Sequence, residues 1–213
     1  MKEDNTNTIN MVENHIRTLN VIDDGVLDTL KKISRRSFVP EKYKAFAHVD
    51  MSIPIGFNQK MLLPSVEAKI LQAMDIKKNE DVLLVGSGTG YFSTCISMLA
   101  NRVHSIDMVE DFIENAQQNC RSISSGNMNF EKLNILDNLK LIKSYKVTIF
   151  TIAIDNIDQI LDNMDNGARC FIFEYVANCP IQKGMAIYKT NRSSYLKEYV
   201  LETNIQTIST GEL

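Results

Sequence analysis

The segment VLLVGSGTGYF, residues 82–92, sets Gly86, Gly88 and Gly90 directly after a short apolar run and before a helical pattern. Glycines there let the chain turn sharply and let a ligand touch the main chain. A dinucleotide fingerprint needs a glycine at position 91, which is Tyr91, and a P-loop needs a following G-K-[ST], which is absent. The spacing suits a nucleoside with no pyrophosphate to cradle. Asp107, 21 positions beyond Gly86, closes the next apolar run, where a carboxylate can accept both hydroxyls of a ribose. The alternative is a tight turn with no ligand, and only the combination of glycines and Asp107 separates the two.

A second stretch with chemical potential is SIPIGFNQKMLLPSVEAKI, residues 52–70. Gly56, Asn58, Gln59 and Lys60 offer a turn, two amides and an ammonium in succession, a set that can line a substrate wall or simply face solvent. Other reactive types are dispersed. Cys95, Cys120, Cys170 and Cys179 form no C-x-x-C pair, and His15, His48 and His104 lie far apart, so neither a metal site nor a disulfide framework is expected.

The elements that must position these residues follow from periodicity. Residues 8–34 carry helical stripes (Ile9, Val12, Ile16, then Val26, Leu27, Leu30, Ile33) with Asp23 or Asp24 as N-cap. Val66, Ile70, Leu71 and Met74 mark a helix before the glycine loop. Beyond it the pattern alternates: strand 81–86, helix 91–100, strand 102–108, helix 110–123, strands 129–135 and 146–154, helix near 156–164 and strand 168–176. Strands 184–190 and 195–205, joined by NRSS, close the chain as a hairpin. The expected fold is α/β, a mostly parallel sheet ending in an antiparallel hairpin, with an N-terminal helical segment. At 213 residues the chain is expected to form one domain, 1–213, with a helical and substrate-wall segment 1–64 and an α/β core 65–213.

A net charge of −3 argues against a nucleic-acid partner, and the cluster Lys31, Lys32, Arg35, Arg36 reads as a solvated helix face. The polar, acidic start MKEDNTNTIN lacks the form of a signal peptide, and no run approaches membrane-spanning length, so a cytoplasmic protein with no membrane partner and reduced thiols is expected.

With the upstream segment RRSFVPEKYKAFAHVDMSIPIGFNQ included, followed by Pro64, VLLVGSGTGY and RVHSIDMVEDFIENAQQN, the chain resembles the protein-L-isoaspartate O-methyltransferase family over roughly residues 10–175. It is similar to a divergent bacterial branch that carries P-VEAK-LQA, matched here at Val66, Glu67, Ala68 and Lys69. The resemblance implies a class I S-adenosylmethionine-dependent methyltransferase (Rossmann-like), with Gly86, Ser87, Gly88, Thr89, Gly90, Tyr91 and Asp107 holding S-adenosylmethionine. It also implies a substrate wall of Gly56, Asn58, Gln59 and Lys60, and a damaged protein or peptide as substrate, methylated on the free carboxylate of an isoaspartyl residue. No metal is implied, and oligomeric state is left open.

The chain departs from the family pattern in three places. The motif G-x-G-Q-T-I-S ends here on Leu62, so the family's serine hydroxyl is missing and Gln59 and Lys60 are the candidate replacements. Leu84 stands where the family has an acidic residue near the cofactor, an expected loss of about 1.5–3 kcal/mol of binding. The family's G-D-G becomes Asn134, Ile135, Leu136, with Asp137 just beyond. Thr151 matches a family threonine near the active-site mouth. A methyltransferase acting on another carboxylate or small nucleophile, or a silent fold serving as an interaction module, are the alternatives.

Overall fold

The computed structural model describes residues 2–121, 123, 126–155, 157–176, 178–191, 194–205 and 207–208. The N-terminal segment forms α1 (Lys2–Met11), continued by irregular helical turns, and α2 (Asp24–Lys32). Asn20, in the left-handed region at φ 68°, ends the first helical stretch. Asp23 caps α2, its carboxylate accepting the Val26 amide at 2.8 Å. A hairpin follows, β1 (Ile53–Gly56) and β2 (Gln59–Met61), and then α3 (Pro64–Met74). Proline at the first helical position suits a residue with no amide to satisfy. Asp50 accepts the Ser65 amide at 2.9 Å and the Ser65 hydroxyl at 2.8 Å, capping α3 from outside.

The core then alternates as expected: β3 (Asp81–Val85), α4 (Tyr91–Ser97), β4 (Arg102–Asp107), α5 (Glu110–Cys120), β5 (Met128–Lys132), β6 (Val147–Ile154), α6 (Ile157–Asp162), β7 (Arg169–Glu174), β8 (Gln182–Asn191), β9 (Ser194–Thr203) and the short β10 (Thr207–Ile208). The sheet order is β5-β4-β3-β6-β7-β8-β9, with β10 beside β6. Strands β5, β4, β3, β6 and β7 are parallel, and β8 and β9 add antiparallel to the β7 edge. Of the expected hairpin loop, Arg192 and Ser193 lie outside the described residues. The hairpin β1–β2 was not expected from the sequence, because its strands are only four and three residues long.

Side chains of β3 alternate between two cores. Val82 and Leu84 pack on the face covered by the N-terminal helices, α3 and α4, whereas Leu83 and Val85 join Phe150, Ile160 and Ile172 on the other. Several elements ran shorter than their periodicity; the helix expected over 91–100 stops at Ser97 and the strand expected over 168–176 spans Arg169–Glu174. The strand expected over 129–135 stops at Lys132, and the helix expected to 123 stops at Cys120.

The expected solvated face around Arg35 is corrected. Helix α2 ends at Lys32, and Arg35 opens a separate 3-10 turn that rotates its side chain into full burial, while Arg36 stays exposed. All four cysteines are free, with Cys95, Cys120 and Cys170 buried. Among the described residues no helix is long and apolar enough to cross a membrane.

Candidate functional site

Strand order reverses between β3 and β6, and ligand crevices of open α/β sheets lie outside the carboxyl ends of strands at such a point. A cavity of about 370 Å³ opens there, walled by Gly86 and Gly88 after β3, Asp107 at the end of β4, and Thr151 in β6. Its size falls within the roughly 300–1,000 Å³ of small-molecule sites. The β6–β7 register shifts between Ile149 and Ala153, so the strand bulges where Thr151 and Ile152 meet the cavity.

Gly86 must be glycine twice over: its φ is +96°, and a Cβ there would lie 2.1 Å from the Thr151 hydroxyl oxygen. Gly90 is different. It starts α4 in the left-handed region and packs its backbone against Ala116 and Cys120, a spacer that touches neither cavity.

The Asp107 carboxylate accepts the Gly88 amide at 3.2 Å, the Ser87 hydroxyl at 3.3 Å and the Val109 amide at 3.1 Å. Burial holds its acid strength below that of a free aspartate, partly offset by the Val109 and Gly88 amides. Around it Val109, Phe112, Ile135 and Leu136 supply apolar walls. A carboxylate with positive-φ glycines beneath it and flat apolar walls beside it fits a nucleoside.

The opposite wall is the β1–β2 hairpin. Gly56 pairs with Gln59 across a two-residue turn in which Phe57 and Asn58 both have positive φ, +47° and +56°, the combination that suits a tight twisted hairpin. Asn58, Gln59 and Lys60 line the cavity, whereas Gly56 serves the turn and does not. Phe57, 60% exposed, meets Phe112 edge to face at 5.5 Å and so bridges the hairpin to α5. Among the described residues the Lys60 ammonium has no carboxylate partner.

A smaller cavity of about 40 Å³ adjoins the first, sharing Ile55, Lys60, Gly86, Gly88 and Thr151 and adding Leu62, Glu67, Ser87, Thr89 and Tyr91. Thus Ser87, Thr89 and Tyr91 belong to this inner site. Tyr91 is almost wholly buried, edge-on to Phe38, and its hydroxyl is without a partner among the described residues. Leu62 is buried here with the N-terminal core.

The structure also places the other two departures from the family pattern. Leu84 packs in the core on the face opposite Val85, and Val85 is the strand residue that reaches the cavity. Leu84 itself lines neither cavity. Of the three residues 134–136, Ile135 and Leu136 give apolar wall, while the Asn134 side chain is the polar one; it accepts the Leu136 amide and donates to Asp137.

Sequence reasoning missed Phe57, Phe112 and the pairing of Arg35 with Glu67. Glu67 was the available signal for the last, an acid one position from Val66 and Ala68 and in step with the apolar stripe of Ile70, Leu71 and Met74.

Fold and site together define a class I-type α/β protein with a cavity at its switch point, walled on one side by a polar hairpin. The chain belongs to the family described as protein-L-isoaspartate(D-aspartate) O-methyltransferase (PCMT), whose model matches residues 6–209. It is similar to the protein-L-isoaspartate O-methyltransferases of Dictyoglomus turgidum (32% identical over 106 residues, 50% of this chain and 48% of that one) and Methanoculleus marisnigri (33% over 109 residues, 51% and 50%). The chain spans about half the length of the curated relatives it matches. Among solved structures, a protein from Plasmodium falciparum described as a protein-L-isoaspartate O-methyltransferase in complex with S-adenosyl-L-homocysteine shares the fold, with a TM-score of 0.79 at 17% identity, covering 94% of this chain and 97% of that one.

Proposed function

We propose that the chain is an S-adenosylmethionine-dependent O-methyltransferase that methylates the free carboxylate of isoaspartyl residues in damaged proteins or peptides. The observation that carries this reading is one continuous cavity with Asp107 and the glycine loop on one side and Lys60 on the other. Asp107 would take the ribose hydroxyls, the Gly86–Gly88 backbone would lie against the amino-acid portion, and Ile135, Val109 and Phe112 would flank the base. When bound, S-adenosylmethionine supplies an electrophilic methyl group for in-line transfer.

The chain's own residues have a limited task, because an acceptor carboxylate is already ionised at neutral pH and needs no general base. Lys60 offers a charge to hold that carboxylate in the place of the missing serine hydroxyl, and Gln59 an amide for substrate backbone. The hairpin excludes water from one side, leaving positioning and desolvation as the source of rate. Leu62 and Lys60 equally accommodate another carboxylate or small nucleophile, which makes acceptor choice the second reading. Membership of the family and the net charge of −3 support a protein substrate over nucleic acid.

Calorimetric titration of S-adenosylmethionine tests the cofactor half. The expected result is micromolar binding, weakened at least about tenfold in Asp107→Ala, the loss of a hydrogen-bonded charge. Absence of binding at millimolar ligand would overturn the proposal and favour a silent fold.

A further inference from the structure

We infer that Arg35 is a positioning residue, a buried fork that sets the substrate wall in register with the glycine loop. For catalysis the inference rests on the methyl-transfer reading above; its structural half does not. Arg35 is fully buried, and its three contacts go to the link after β2, to α3 and to α4. Nη2 donates to the Leu62 carbonyl at 2.6 Å, Nη1 donates to the Glu67 carboxylate on α3, and the guanidinium carbon lies 4.9 Å from the centre of the Tyr91 ring. Leu62 follows the wall residues Gln59 and Lys60, and Tyr91 follows the glycine loop. Leu62, Glu67 and Tyr91 all line the inner cavity, between Lys60 and Gly86.

The arrangement is poorly suited to stability alone. Burying two charges costs desolvation that their attraction barely offsets, and apolar residues of similar volume often do as well or better. What an apolar pair cannot supply is a donor to the Leu62 carbonyl at a fixed distance from Glu67. A planar fork does this; the point charge of lysine cannot reach both acceptors in the same geometry. Fixing the Leu62 carbonyl fixes the path of residues 59–63, and with it the distance from Lys60 to the glycine loop.

The test compares Arg35→Lys and the double variant Arg35→Met with Glu67→Met against the parent chain. In the protein alone, amide hydrogen exchange at residues 59–63 should quicken about tenfold in both, with residues 81–85 unchanged. Where the parent transfers methyl to an isoaspartyl peptide, kcat should fall about thirtyfold in the double variant with KM held within about threefold, the signature of lost orientation. Arg35→Lys should fall between. Unchanged exchange at 59–63, or a double variant that turns over at the parent rate, overturns the inference. If the double variant does not fold, the same comparison on Arg35→Lys decides. If the parent transfers nothing to the peptide, the functional reading fails, and the exchange result alone still decides whether Arg35 positions the wall.

Discussion

The Thr151 hydroxyl donates to the Gly86 carbonyl at 3.0 Å and to that of Val85 at 3.1 Å, and it occupies the space that a side chain at position 86 would need. The end of β3 and the bulge of β6 are thereby locked together at the cavity. Gly86→Ala is expected to cost about 2–4 kcal/mol, from backbone strain at positive φ and the clash with Thr151. Adding Thr151→Ala should recover part of that loss, leaving the strain. A double-mutant cycle by urea denaturation checks this: costs that simply add would show that the close approach is not the cause.

Phe57 sits strained at the tip of the hairpin. Phe57→Gly relieves about 1 kcal/mol of backbone strain and forfeits a Phe112 edge contact of about 0.5–1.5 kcal/mol, so stability should change by less than about 1 kcal/mol. Binding should respond more. With the bridge to α5 gone, the affinity for S-adenosylmethionine should weaken about fivefold, read by calorimetry, whereas unaltered affinity would show that Phe57 does not close the pocket.

Arg169 lies at the opposite end of the sheet from the cavity. It donates to the Met74 carbonyl at 2.7 Å, to that of Asp75 at 3.0 Å, and to both Glu80 oxygens at 2.8 and 2.6 Å, pinning the end of α3 to the start of β7. Arg169→Ala should cost roughly 2–4 kcal/mol, since several partly buried charge-assisted bonds are lost together. Cofactor affinity should stay within about twofold, because the two ends share no residues. A large affinity change in a folded variant would contradict this separation.

Glu67 gives a pH dependence of definite sign. Burial raises its carboxyl from 4.5 to about 7, against the pull of Arg35. Between those values the folded state binds more protons than the unfolded one, so this group's contribution to stability is greatest below about pH 4.5 and is lost as pH rises through about 7. The stability of Glu67→Gln relative to the parent should therefore improve from pH 5 to pH 8. Equilibrium denaturation of both proteins across that range measures it; a relative stability that falls with pH would refute the assignment.

The alternation of helix and strand, the glycine loop and Asp107 were legible because each follows from local periodicity or from residue types with few conformational options. Gly86, Gly88 and Asp107 line one cavity, as their placement after successive strands suggested. Leu84 packs in the same core cluster as Leu62 and Tyr91, which line the inner cavity, while the two-residue period of the strand turns Val85 to the larger one. Arg35 was misread: it looked like one more cation after α2, yet the helix ends at Lys32 and a 3-10 turn redirects it inward to a partner 32 positions away. The β1–β2 hairpin was hidden because Phe57, an aromatic residue in the left-handed region, is no turn signal.

The most direct test of the account is transfer of labelled methyl from S-adenosylmethionine to an isoaspartyl peptide beside its aspartyl counterpart, with base-labile label counted as ester. The account predicts label on the isoaspartyl peptide, and a KM raised about tenfold in Lys60→Met through loss of the charge that holds the acceptor. No label on the isoaspartyl peptide from a protein that binds S-adenosylmethionine would contradict the proposed acceptor.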